Sequence, residues 1–225
     1  MKTNVVWRLV LKDWQLQSLL IIISIAAGVI ALAALLLRGT TSLVLGSVFF
    51  FISMMFCACL LPITSIVNER KKQTLPFLMS LPVSASRYGA AKLLSTFGMF
   101  LVPWLTLLVA ALYMILVRHV LPNGVIPVML IVANLPFLGF CFIAGTALVG
   151  ESEWWGNAAV ATVNTSYWLV WYLLVSQVPS ISRNWGSPVA VWAPAVVKIL
   201  VVQFGLILLI PGLTLYLQSR KRNFV

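Results

Sequence analysis

The sequence predicts an all-α integral membrane protein: six transmembrane helices, an N-terminal amphipathic interfacial helix, and a short cytoplasmic helix between the second and third spans. Three observations predict it. Of 225 residues 62% are hydrophobic and only 8% charged, with a mean hydropathy of +1.07, too little polar surface to cover a water-soluble globule. Six runs are long enough to cross ~30 Å of hydrocarbon at 1.5 Å of rise per residue, which takes about 20 apolar residues. The basic residues are sorted by loop, as membrane orientation requires. These spans consume well over half of the chain and leave no stretch long enough for a separate soluble core. Residues 1–225 therefore read as one membrane domain, with the interfacial helix over 1–17, the six-span bundle over 18–217 and a basic tail over 218–225.

Residues 5–17 come first. At 100° per residue Arg8, Lys12 and Gln15 share a stripe, while Trp7, Val10, Leu11 and Trp14 occupy the opposite face. That pattern suits a helix in the headgroup region with its cations towards an anionic leaflet; it also fits a cytoplasmic extension of the first span. Spans 18–37, 43–67, 93–117, 125–149 and 158–178 contain no Asp, Glu, Lys or Arg, and the sixth, 199–217, follows Lys198. Between spans two and three, Thr74 is suited to cap a short helix, Pro76 to sit in its first turn and Pro82 to end it; Ser84 or Ser86 then caps the next helix. This short helix would display Leu75, Phe77, Leu78, Met79 and Leu81, too apolar a set to stand in water without a partner surface.

Beyond the third span, Pro122 and Asn123-Gly124 mark a tight turn. The fourth span carries Pro127, Asn134, Pro136, Gly139 and Gly145, which predicts a kinked, closely packed helix. Residues 176–194 hold Pro179, Arg183, Trp185, Gly186, Pro188, Trp192 and Pro194, the composition of an interfacial or re-entrant hairpin.

The net charge of +11 does not mark a nucleic-acid surface, because its residues are not gathered on one soluble face. With the N-terminus cytoplasmic, that side receives Lys2, Arg8, Lys12, Arg70, Lys71, Lys72, Arg87, Lys92, Arg220, Lys221 and Arg222; the other receives Arg38, Arg118, Arg183 and Lys198. Eleven against four predicts that both termini are cytoplasmic.

Catalytic chemistry is not expected of this chain. Its four acids and single histidine, His119, are scattered over loops and the N-terminal helix and do not form an acid–base pair. Cys57, Cys59 and Cys141 fall inside spans, where a thiol behaves as a small apolar group, and no second ligand type accompanies them, so no metal is expected. There is no G-x-x-x-x-G-K-[ST] phosphate loop. Nor is there an ionisable residue in mid-span to bind a coupling ion, so any energy source is expected on another polypeptide.

The segment 68–92 adds a pattern: Glu69, the basic run 70–72, Thr74-Leu75, an apolar pair, Ser80-Leu81-Pro82-Val83-Ser84, then Tyr88 and Lys92-Leu93. It resembles the signature of ABC exporter permeases of the type-2 class, whose layout of amphipathic helix, six spans and a helix between spans two and three is also similar. Pro76 stands where that family often has an acidic residue. The resemblance implies that Glu69, Thr74, Leu75, Phe77, Leu78, Leu81 and Tyr88 couple to a separate ABC-type ATPase, present in two copies and holding ATP and Mg, with no cofactor on this chain itself. It implies a second permease subunit, identical or paralogous, membrane lipids as further partners, and a bacterial plasma (inner) membrane location.

The same resemblance places spans two and five along a substrate path. Its liners would be Phe49, Phe50, Ser53 and Met54 on one side and Asn164, Tyr167, Trp168 and Trp171 on the other. Such a route suits amphipathic or lipid-like cargo, for example a peptide or an antibiotic. Two alternatives stand beside it: a haem- or cytochrome-maturation exporter subunit, of similar size and span count, and, from another class, a non-transporting membrane scaffold or immunity protein.

Overall fold

The computed structural model describes residues 3–37, 39–68, 85–150 and 152–220. These residues form an all-helical bundle: α1 (Thr3–Leu35), α2 (Thr40–Pro62, extended by a π-helical turn Ile63–Val67), α3 (Ala85–Leu116), α4 (Ile126–Val149), α5 (Glu153–Gln177) and α6 (Pro194–Arg220). A 3₁₀ turn, Asn123–Val125, leads into α4, and one helical turn, Pro179–Ser182, follows α5. Five segments are long and apolar enough to cross a membrane: Leu11–Leu35, Thr40–Val67, Gly89–Leu116, Asn123–Val149 and Pro194–Arg220. The sixth predicted span is α5. Its 25 residues reach far enough, but Asn157, Thr162, Asn164, Thr165 and Ser166 make it the most polar of the six.

Residues 5–17 do not form a separate element. α1 runs unbroken for 33 residues, about 50 Å, because nothing between Val5 and Leu35 interrupts it: there is no proline, and Ser18 turns its hydroxyl back onto Gln15 O (2.9 Å). Trp14, predicted to sit among headgroups, instead packs on the largest core cluster.

α4 is the hub. It contacts α2, α3, α5 and α6, and 78% of its span is buried, against 17% for α6. Apolar surface gains nothing by leaving lipid for protein, so tight packing and polar contacts must hold such a bundle. Both are concentrated on α4. A methyl group on Gly139 would come within 2.6 Å of Val163 Cγ1 on α5, and one on Gly145 within 2.6 Å of Thr214 Oγ1 on α6. The Phe100 and Phe140 rings stack at 4.5 Å between α3 and α4. Pro136 has no N–H for the carbonyl of Val132, and the carbonyls on either side accept side-chain donors instead: Gln203 Nε2 to Ile131 O (3.1 Å) and Trp104 Nε1 to Ala133 O (2.8 Å).

Contacts between elements define two ends. At one, Asp13 meets Lys92, Val67 meets Gly156 and Gly89 meets Gln218. This is the basic end, where α1 begins, the helical run that continues α2 stops at Asn68 and α3 starts at Ala85. At the opposite end the turn before α4 docks on the segment after α5: Gly124 N–H donates to Ser187 O (2.9 Å), and Ile181 in that segment is 2% exposed.

Candidate functional site

α2 and α5 both lean on α4 but touch each other sparingly. They close near the basic end, where a methyl group on Gly156 would lie 3.1 Å from Val67 Cγ2. Asn164 Nδ2 contributes a second link, donating to Cys59 Sγ (3.7 Å) as well as to Val160 O in its own helix (3.0 Å). Beyond these points a cleft of about 390 Å³ opens between the two helices. Its α5 wall is Asn164, Tyr167, Trp168 and Trp171, spaced i, i+3, i+4, i+7 and so on one face. The α2 wall is a matching stripe, Ser47, Phe51, Met55 and Cys59, flanked by Val48, Ile52 and Phe56. No lining residue is charged. Trp168 is 61% and Ile52 49% exposed, so the cleft opens sideways, towards lipid if the bundle is embedded. Its upper rim continues aromatic, with Trp171 and Trp185 rings 6.1 Å apart.

All four α5 residues predicted as pathway liners thus share one wall. The four named on α2 do not join them. Phe50 and Met54 are buried at 3% and 2% in a cluster with Leu32 and Leu107, on the faces of α1 and α3. Ser53 lies on that same side, its carbonyl accepting the Ser24 hydroxyl (2.9 Å) and its own hydroxyl donating to Phe50 O. Phe49 is 57% exposed and outside the cleft. The expected stripe is displaced by about one residue, or 100° of helix phase, because α2 is apolar all round and its close partner turns out to be α1.

Of the residues expected to couple to an ATPase, Glu69, Thr74, Leu75, Phe77, Leu78 and Leu81 lie outside the described residues, as does the short helix expected to carry them. Tyr88 falls in the first turns of α3, with its side chain outside the described set. His119 occupies the exposed turn after α3 with φ of 50°, a left-handed conformation that histidine tolerates better than most residues. Cys57, Cys59 and Cys141 are buried free thiols.

The basic end holds polar contacts that sequence reasoning missed. Lys92 Nζ donates to Asp13 Oδ2 at 2.7 Å, with the two side chains only 4% and 9% exposed. One turn further along α1, Gln17 Oε1 accepts from Thr64 Oγ1 (3.0 Å), whose hydrogen is shared with Leu60 O (2.7 Å). That hydroxyl, with Pro62 just before it, disturbs the regular ladder and accounts for the π turn at Ile63–Val67. A usable signal existed: Asp13 is the only acid of α1, and it and Lys92 both abut apolar runs at one end of the bundle.

Comparison with family models, with curated proteins and with solved structures finds no match to this chain.

Proposed function

We propose that the chain is the membrane-spanning subunit of an ATP-driven exporter, coupling a separate nucleotide-binding subunit to efflux of an amphipathic or lipid-like cargo such as a peptide or antibiotic. The observation that carries this reading is the α2–α5 cleft. It is uncharged, walled by aromatic rings and open along its side, a shape that accepts apolar side chains or an acyl chain directly from a bilayer. The buried Asp13–Lys92 pair lies at the basic end, away from the cleft, so among the described residues no charged group lines the route to take up a coupling ion. The sequence of residues 68–92 supports a docking element for an ATPase beside the basic end. In this reading eleven basic residues lie at the cytoplasmic end of a protein in a bacterial membrane, Lys92 among them in its buried pair with Asp13, and both chain ends lie there.

Phe77→Asp or Leu78→Asp is expected to reduce co-purification of the ATPase by about tenfold or more, equivalent to at least ~1.4 kcal/mol, with membrane insertion unchanged. Stoichiometric ATPase in both variants would refute the docking assignment. For the cleft, Trp168→Ala/Trp171→Ala is expected to slow export of a radiolabelled cargo from inside-out vesicles by about tenfold, since each indole removes a large apolar contact. Unchanged export would exclude the cleft as the route.

A further inference from the structure

We infer that the polar layer at the basic end is a clamp that ties α1 to both roots of residues 69–84, making α1 the helix that carries a displacement of those roots into the membrane part of the bundle. The inference rests on the exporter reading only for what displaces them.

The geometry is specific. The π turn Ile63–Val67 ends α2 and α3 begins at Ala85, so the described residues that flank 69–84 both lie at this end. Thr64 sits on the departing root and Lys92 on the returning one; each is held by α1, through Gln17 and Asp13 respectively. Asp13 and Gln17 are four residues apart and therefore share one helix face. A single face of one helix grips both roots. Ser65 and Ser95, on the same two roots, bury hydroxyls that have no hydrogen-bond partner among the described residues. Such a layer is poorly optimised for static packing.

The chemistry of the pair points the same way. A buried ion pair adds little net stability over an apolar pair of the same size, because desolvation cancels most of the attraction, but it fixes distance and direction tightly. At 2.7 Å the Asp13–Lys92 contact sets the register of α1 against α3. From there the path to the cleft is short. α1 packs along α2, and Ser24 on α1 donates to Ser53 O on the face of α2 behind the cleft wall formed by Phe51 and Met55. A shift of α1 at its clamped end reaches that wall through α2 without passing through α4.

The test separates the clamp from the exporter reading. Spin labels at Leu16 and Leu94, 65% and 72% exposed, report the α1–α3 distance in nanodiscs with no ATPase present. The parent chain and the charge-swapped Asp13→Lys/Lys92→Asp variant should give the same narrow distribution. Asp13→Leu/Lys92→Met, which removes both charges of the pair together, should broaden it about twofold or shift its mean. A narrow, unshifted distribution in that variant would mean that packing alone sets α1, and would overturn the clamp. With the ATPase added, cargo exported per ATP hydrolysed should fall by about tenfold in the apolar variant while ATPase binding is kept. Unchanged coupling alongside a broadened distribution would overturn the transmission role. Failure of any ATPase to bind the parent chain would sink the exporter reading and leave the distance measurement to decide the clamp.

Discussion

Asp13→Leu is expected to destabilise the bundle by about 3–5 kcal/mol, because it removes the carboxylate that the Lys92 ammonium meets at 2.7 Å in a site 4% exposed. Lys92→Met should cost a comparable amount by removing the ammonium that donates to Asp13 Oδ2. Neither charge can simply turn to water: Asp13 lies on the inner face of α1, beside Trp14 in the core, and Lys92 precedes Leu93 and Thr96, which are 6% and 0% exposed. The loss should appear as a lower thermal midpoint in detergent and a smaller monodisperse fraction on size exclusion. The Asp13→Leu/Lys92→Met double substitution should recover most of it, since it removes both desolvation penalties together. A single variant as stable as the parent chain would show that this contact does not hold α1 to α3.

Gly124→Val is expected to be the most damaging substitution at the opposite end. A Cβ at this position collides with the carbonyl oxygen of Asn184 and lies 2.9 Å from that of Ser187. Both are backbone atoms, which cannot rotate away as a side chain would. Relief requires the turn before α4 to lift from residues 184–187, which breaks the Gly124 N–H to Ser187 O bond. Overpacking of about 1–3 kcal/mol plus about 1 kcal/mol for the hydrogen bond gives the scale. Gly124→Ala should show a smaller version of the same defect, and both should add independently to Asp13→Leu, which acts at the far end. Thermal melts of the single and combined variants measure this directly; a Gly124→Val melt that overlays the parent would rule out the docking of these two segments.

What was legible in the sequence follows from where its composition varies. Span positions were readable because an uncharged apolar run of membrane length has almost nowhere to lie except across a bilayer: the runs 125–149 and 93–117 differ from α4 and α3 mainly at their starts. The cleft face of α5 was readable because Asn164, Tyr167, Trp168 and Trp171 stand out from their neighbours at helical spacing. α2 offers no such contrast. Phenylalanine, methionine and leucine surround it on all sides, so its rotation is set by which neighbours it meets, and those are settled only by tertiary packing. The Asp13–Lys92 pair is illegible for a related reason, since its partners are 79 residues apart and each is accounted for locally as a flanking charge. The single long α1 in place of an interfacial helix plus a span reflects a physical ambiguity: an amphipathic stretch looks the same whether its apolar face meets lipid or protein.

The position of α4 has a consequence for how the protein is made. A chain synthesised from its N-terminus enters the membrane in order. α4 finds α2 and α3 already present, with α1 packed against both, so a four-helix nucleus can form around Phe100, Phe140 and Trp104 before α5 and α6 exist. Those two late helices then add on separate flanks of α4, each meeting a glycine there and barely meeting the other. In order of synthesis, α5 and α6 would then join a scaffold of α1–α4, and the most polar helix, α5, would emerge after the face of α4 it packs on.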